Sequence, residues 1–251
     1  MRIGSAVVIW LVSASGVCPG WAEQRSAAVS ELSAEQILEK SIEVTGGREA
    51  YGRLISTVAK GLMEFTPQEL HGTIEFYAKA PNKRLIVTNI ESVGEMRQGF
   101  DGEVAWVENP MQGLRKLAGA ELEHIRQEAD FHRPLKWREL YSRIELKGKE
   151  VVAGRAVYVI RLTPKAGKPL THYYDAENYL LVGQELVQAT PQGEVRVRAL
   201  MSDYRDVGGV KAPHRIEQQM PWGKVVIQFT EMQNNVEIED GRFRMPGASK
   251  P

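Results

Sequence analysis

The stretch "GFDGEVAWVENP", residues 99–110, places an acid, a glycine and a tryptophan within eight positions. Asp101 can be read as a catalytic carboxylate beside an aromatic platform, or Asp101-Gly102 as the tip of a hairpin. The flanks decide between them. "EMRQGF" before it and "EVAWVE" after it are short strand-like segments. An Asp-Gly pair between two such segments is a strong hairpin signal, because glycine takes positive φ without steric cost. The same design recurs in "YYDAENYLLV", where Asp175 follows aromatics and precedes a strand. Two acids in equivalent settings read as turn formers, and the stretch as sheet.

Working outward, period-two alternation begins at Ser56 and dominates the chain. "HGTIEFYAKA" and "KRLIVTNI" precede the hairpin. After Tyr141 follow "RIELKGKEVV", "RAVYVIRLTP", "LTHYYD", "YLLVGQELVQA", "EVRVRALMSDY", "HRIEQQM" and "KVVIQFTEMQ". Breakers separate them, among them Thr66-Pro67-Gln68, Ala80-Pro81-Asn82, Gly208-Gly209 and Pro221-Trp222-Gly223. Eleven or twelve strands with short connections predict antiparallel meanders rather than βαβ crossovers.

Helical spacing occurs twice. "SAEQILEKSIEVTGG" has Ser33 as N-cap, Gln36 completing a capping box, and Gly46-Gly47 at its end. Its stripe of Ile37, Leu38 and Ile42 predicts one buried face. A short turn, "REAYGRL", follows. The second region is "GAELEHIRQEADFHRPLKWRELY", with Leu122, Ile125 and Ala129 on one face and Pro134 opening a short helix that carries Trp137 and Leu140. The "TPQ" and "KAP" pairs at 66–68 with 79–81 and at 190–192 with 211–213 differ in spacing, which favours reuse of turn chemistry over duplication.

The first residues read as a leader rather than as fold. Arg2, the apolar run Ala6–Val12 and the small–x–small "GWA" form a secretory signal cut after Ala22. The run is shorter than the about 20 residues that span a bilayer. Ser15-Gly16-Val17 makes a poor lipobox before Cys18, so cleavage is favoured over lipidation. The expected mature chain, residues 23–251, then has no cysteine, which excludes disulfides and thiol chemistry. It reads as one domain, exported and soluble. Lys plus Arg equals Asp plus Glu, 32 of each, which gives no electrostatic case for nucleic acid.

Catalytic signatures are absent from the pattern. His71, His124, His132, His172 and His214 are scattered, with no HExxH, no G-x-S-x-G elbow and no phosphate-binding glycine loop. No cofactor and no metal is expected, and the chain reads as a non-enzyme. A hydrolase built on a carboxylate pair has no two acids to single out. Charges mixed through the strands, and the helical inserts, argue against an outer-membrane barrel. What remains is a set of strand-borne aromatics facing a sheet that few helices can cover, so an apolar ligand cavity is the working hypothesis.

Several segments carry a resemblance. "ILEKSIEVTGGREAYGRL", "GFDGEVAW", "YYDAENYLLVGQELV", "SDYRDVGGVKAPHRIEQ" and "NNVEIEDGRF", in that order, resemble bacterial outer-membrane lipoprotein-sorting proteins, relatives of the carrier LolA. The likeness runs from about Ile37 to Phe243. It implies a mainly β fold, a curved antiparallel half-barrel with a helical lid. It implies acyl chains, of a lipid or an acylated lipoprotein, as the cargo, and an arginine latching the lid, with Arg126 and Arg133 as candidates. Each CH₂ kept from water is worth about 0.8 kcal/mol, so a dry groove can hold such an anchor. Strand phase then selects Phe76, Trp106, Val197 and Ile227 as cavity lining, and Trp137 joins them from the helical insert. The alternative is an envelope protein-interaction module with a filled core.

Overall fold

The computed structural model describes residues 32–66, 69–165, 167–190 and 193–247. The leader and Cys18, and the turn tips at 67–68 and 191–192, lie outside the described residues.

Two helices, α1 (Ala34–Val44) and α2 (Gly47–Gly52), open the fold. The capping box forms as expected. Ser33 Oγ accepts from the Gln36 amide, and Gln36 Oε1 accepts from the Ser33 amide at 2.8 Å. Gly46, at φ +133°, lets the backbone turn against Gly209, whose carbonyl oxygen would lie 2.4 Å from any Cβ placed there.

Among the described residues, thirteen antiparallel strands make one open sheet. The first meander is β1 (Ser56–Thr66), β2 (Leu70–Lys79), β3 (Lys83–Ile90), β4 (Gly94–Phe100), β5 (Ala105–Asn109) and β6 (Gly113–Lys116). The second is β7 (Tyr141–Val152), β8 (Arg155–Pro164), β9 (Leu170–Asp175), β10 (Leu181–Thr190), β11 (Gly193–Val207), β12 (Val210–Met220) and β13 (Gly223–Asn234). The first and last strands pair, so the order is β6-β5-β4-β3-β2-β1-β13-β12-β11-β10-β9-β8-β7. The alternation does not announce β6, whose four residues carry Leu114 alone as an apolar side chain.

This topology dictates where the remaining helices lie. The chain leaves the sheet at β6, one free edge, and must re-enter at β7, the other. It makes that crossing with α3 (Gly119–Glu128), a 3-10 turn (Arg133–Lys136) and α4 (Trp137–Leu140). α3 packs Ile125 and Ala129 on Phe100 and Ala105, while α1 and Trp137 pack on Ile160, Leu162 and Tyr174. Register places these floor residues on one face of the curved sheet, here the inner face.

The opening stretch is a hairpin. Asp101 Oδ1 accepts from the amides of Glu103 (3.0 Å) and Val104 (2.7 Å), and Gly102 sits at φ +107°. Asp175 repeats the arrangement with the amides of Glu177 and Asn178. Both acids hold turns.

The outer face has its own cover. After β13 the chain returns across β1–β5, placing Ile238 and Phe243 on Tyr77, Leu85 and Trp106. Trp106 is fully buried there and donates its indole N–H to the Phe243 carbonyl at 2.9 Å. Its ring lies on Gly99, where any Cβ would stand 2.3 Å from Cε2. Among the described residues no helix is long and apolar enough to cross a membrane, and no cluster of His, Cys, Asp and Glu is placed to hold a metal.

Candidate functional site

Between the helices and the inner face lies a cleft of about 580 Å³. Leu38 and Ile42 of α1, Pro134 and Trp137 form its roof, and Phe76, Leu162, Leu170, Leu186 and Met201 contribute to its floor. Each floor residue is the inward member of an alternating strand, which is why the apolar surface runs from β2 through to β8.

Four polar side chains of the cleft are tied to the protein. Tyr204 donates to the Leu181 carbonyl at 2.6 Å, and Tyr51 to Thr45 Oγ1 at 3.1 Å. The Tyr174 hydroxyl and His172 Nδ1 are hydrogen-bonded at 3.0 Å. Burial raises the Tyr174 and Tyr204 phenols well above their usual range. Burial, with the Arg133 charge adding to it, pushes His172 down to about 3. The histidine is therefore neutral, and the cleft interior stays apolar in character despite its polar atoms.

An ion pair joins the sheet to the helical insert at the cleft. Arg84 Nη1 of β3 donates to Glu128 Oε2 of α3 at 2.5 Å. Burial pushes the Glu128 carboxyl up, but Arg84, then His124 and Arg133, outweigh it and hold the group below its ordinary 4.5. The pair's contribution is therefore complete above pH 4.5 and is lost as pH falls through the lower value that Glu128 holds when folded. Glu128→Gln is expected to cost about 1–3 kcal/mol, toward the lower end because the pair is partly exposed. It should also flatten part of the acid limb of a melting-temperature profile. An unchanged profile would show the pair to be idle.

Of the two arginines considered as a latch, Arg126 only pairs with Glu123 on its own helix, at 2.5 Å. Arg133 Nη1 reaches the Gln127 carbonyl at 3.4 Å, within the helical insert. The α1–α4 junction is fixed elsewhere. Glu39 accepts from Arg48, Arg138 and the Trp137 indole, and its hydrogen bond with Arg48 is the leading cause of a lowered pKa.

The five side chains assigned to the cavity, four by strand phase and Trp137 from the helical insert, do not all meet. Phe76 and Trp137 line the cleft. Val197 lies opposite Leu186, a floor residue, and shares its face by register. Ile227 stands between Met63 and Ile216 and packs in the same cluster as Phe76, beyond the cleft wall. Trp106 is on the other side of the sheet. Its neighbour Ala105 is the residue that faces α3, so the phase assumed for β5 is off by one residue. The Arg84–Glu128 pair and His172 escape sequence reading. One available signal is a charge at the inward position of "RLI", on the same parity as Ile86.

A second hollow, of about 1010 Å³, lies on the outer face beneath the C-terminal segment. Its walls mix Lys60, Glu75, Arg97, Glu237 and Arg242, which does not make an apolar site.

An open, curved antiparallel sheet whose inner face is roofed by helices defines the class of half-barrels with a lid. More particularly, it is the LolA-like fold. A DUF1329 family protein from Desulfovibrio piger superposes with a TM-score of 0.59 at 15% identity, covering 84% of this chain and 97% of that one. A LolA superfamily protein from Nitrosomonas europaea gives 0.55 at 14%, covering 85% and 98%. A Vibrio parahaemolyticus domain described as outer membrane lipoprotein-sorting gives 0.53 at 13%, covering 84% and 97%. No family model and no curated protein matches the sequence. At these identities the likeness establishes the fold.

Proposed function

We propose that the chain, exported and cleaved after Ala22 to leave one domain of residues 23–251, is a periplasmic carrier or sensor that holds acyl chains under its helical lid. The cleft carries this reading. It is a concavity with an apolar floor, roofed by α1 and by the insert that crosses from one sheet edge to the other. Such a site takes its affinity from apolar area removed from water. The fold shared with a lipoprotein-sorting domain supports it. The residues of the cleft do chemistry poorly: His172 is held neutral, His124 lies against Glu128, and that carboxylate is ion-paired to Arg84. The role is binding rather than catalysis.

Met201→Glu tests the reading, because it sets a charge on the floor without touching the roof. Affinity for a fluorescent fatty-acyl probe is expected to fall at least about tenfold with the circular-dichroism spectrum unchanged. Unaltered affinity would remove the cleft from the binding site.

A docking role is the second reading. Met111 and Trp222 are 89% and 54% exposed at hairpin tips on the same end of the sheet. Capture of one protein partner by a lipid-free chain, lost in Trp222→Ser, would favour it.

A further inference from the structure

The cleft walls are electrically one-sided. Arg84, Arg133, Lys168 and Lys211 line it against a single carboxylate, Glu128. Two of those cations are already committed, Arg84 to Glu128 and Lys168 to Glu194. Arg133 is not. It is half-buried, no carboxylate lies within 4.0 Å of it among the described residues, and its hydrogen bond to Gln127 is long at 3.4 Å. It lines the cleft together with Glu128 and His172.

A half-buried guanidinium that makes one long hydrogen bond keeps further N–H donors for an anion at the edge of the apolar groove. The planar fork of arginine matches the two oxygens of a carboxylate or phosphate. The neighbouring acid cannot serve, since Glu128 is taken by Arg84. Size narrows the ligand further. A volume of about 580 Å³ falls among pockets for drug-sized molecules, roughly 300–1,000 Å³, and suits one acyl chain better than a several-chain anchor.

We propose that the ligand is an anionic single-chain amphiphile, its chain on Leu162, Leu170, Leu186 and Met201 and its carboxylate or phosphate head on Arg133. This rests on the acyl-binding reading above and adds the head group to it.

The experiment compares oleate, oleyl phosphate and oleyl alcohol, each below its micelle concentration, by displacement of a bound acyl probe. The wild type is expected to hold at least one of the two anions about 10–100-fold more tightly than the alcohol, the range for charge-assisted hydrogen bonds. Whichever anion binds more tightly identifies the head. Arg133→Gln should bring that anion down to the level of the alcohol in the wild type, and Arg133→Lys should restore part of the difference. Melting temperatures of both variants check that the fold is retained. Equal binding of all three ligands, or a preference that survives Arg133→Gln, would overturn the anionic head and leave the acyl cleft standing. Displacement by none of them would overturn the acyl-binding reading itself.

Discussion

Trp106→Ala is expected to lower stability by about 4–5 kcal/mol, the upper part of the range for truncating a buried aromatic. Three losses coincide at this residue. The side chain is 0% exposed, so its whole apolar surface is forfeited. Its ring covers Gly99, where no side chain can expand to refill the space. Its N–H is the partner of the Phe243 carbonyl, which would be left buried and unpaired. For a domain of this size the melting temperature should fall by roughly 10–15 °C. Trp222→Ala, at an exposed turn, should stay within about 0.5 kcal/mol. Below its melting point the Trp106 variant should still bind an acyl probe, because the indole faces away from the cleft. A stable Trp106 variant that had lost the probe would place the ligand on the outer face instead.

The second large effect is one of pH. His172 holds a folded pKa of about 3 against an ordinary 6.5. The unfolded chain therefore takes up a proton near pH 6.5 that the folded chain refuses until near pH 3. Stability must rise with pH across that window, and fall as the solution is acidified from 6.5, by up to about 1.4 kcal/mol per unit. The full span approaches roughly 5 kcal/mol, and about 2–3 kcal/mol should be lost between pH 6.5 and 4.5. His172→Gln removes the titrating group while keeping a side chain that can hydrogen-bond to Tyr174. Urea unfolding of both proteins at pH 7, 5.5 and 4.5 should give curves that converge on acidification. Parallel curves would mean that the imidazole reaches solvent when charged.

Much of this fold is legible because its signals are local. A capping box needs four residues, and Ser33 with Gln36 satisfies it within them. An Asp-Gly turn needs little more, as Asp101 shows. Alternation fixes that a segment is a strand but says nothing about which face meets which neighbour. Trp106 illustrates the gap. Its side of the sheet is decided by Gly99 on the adjacent strand and by Phe243, 137 residues away. Neither relation leaves a trace in the residues around Trp106. The charged features of the cleft are hidden for the same reason. Arg84 and Glu128 are 44 residues apart and meet because the insert must cross from β6 to β7. Phe76 and Trp137 were within reach because a bulky apolar residue on an inward position, or on a lid helix, has few other places to go.

The central claim is that the cleft is occupied by an acylated molecule in the cell. Native mass spectrometry of the mature chain, purified gently from a periplasmic extract and followed by solvent extraction, addresses it directly. A discrete additional mass is expected, extracting as an acylated, anionic species and disappearing in Met201→Glu. A protein that arrives empty and ignores fluorescent acyl probes would contradict it.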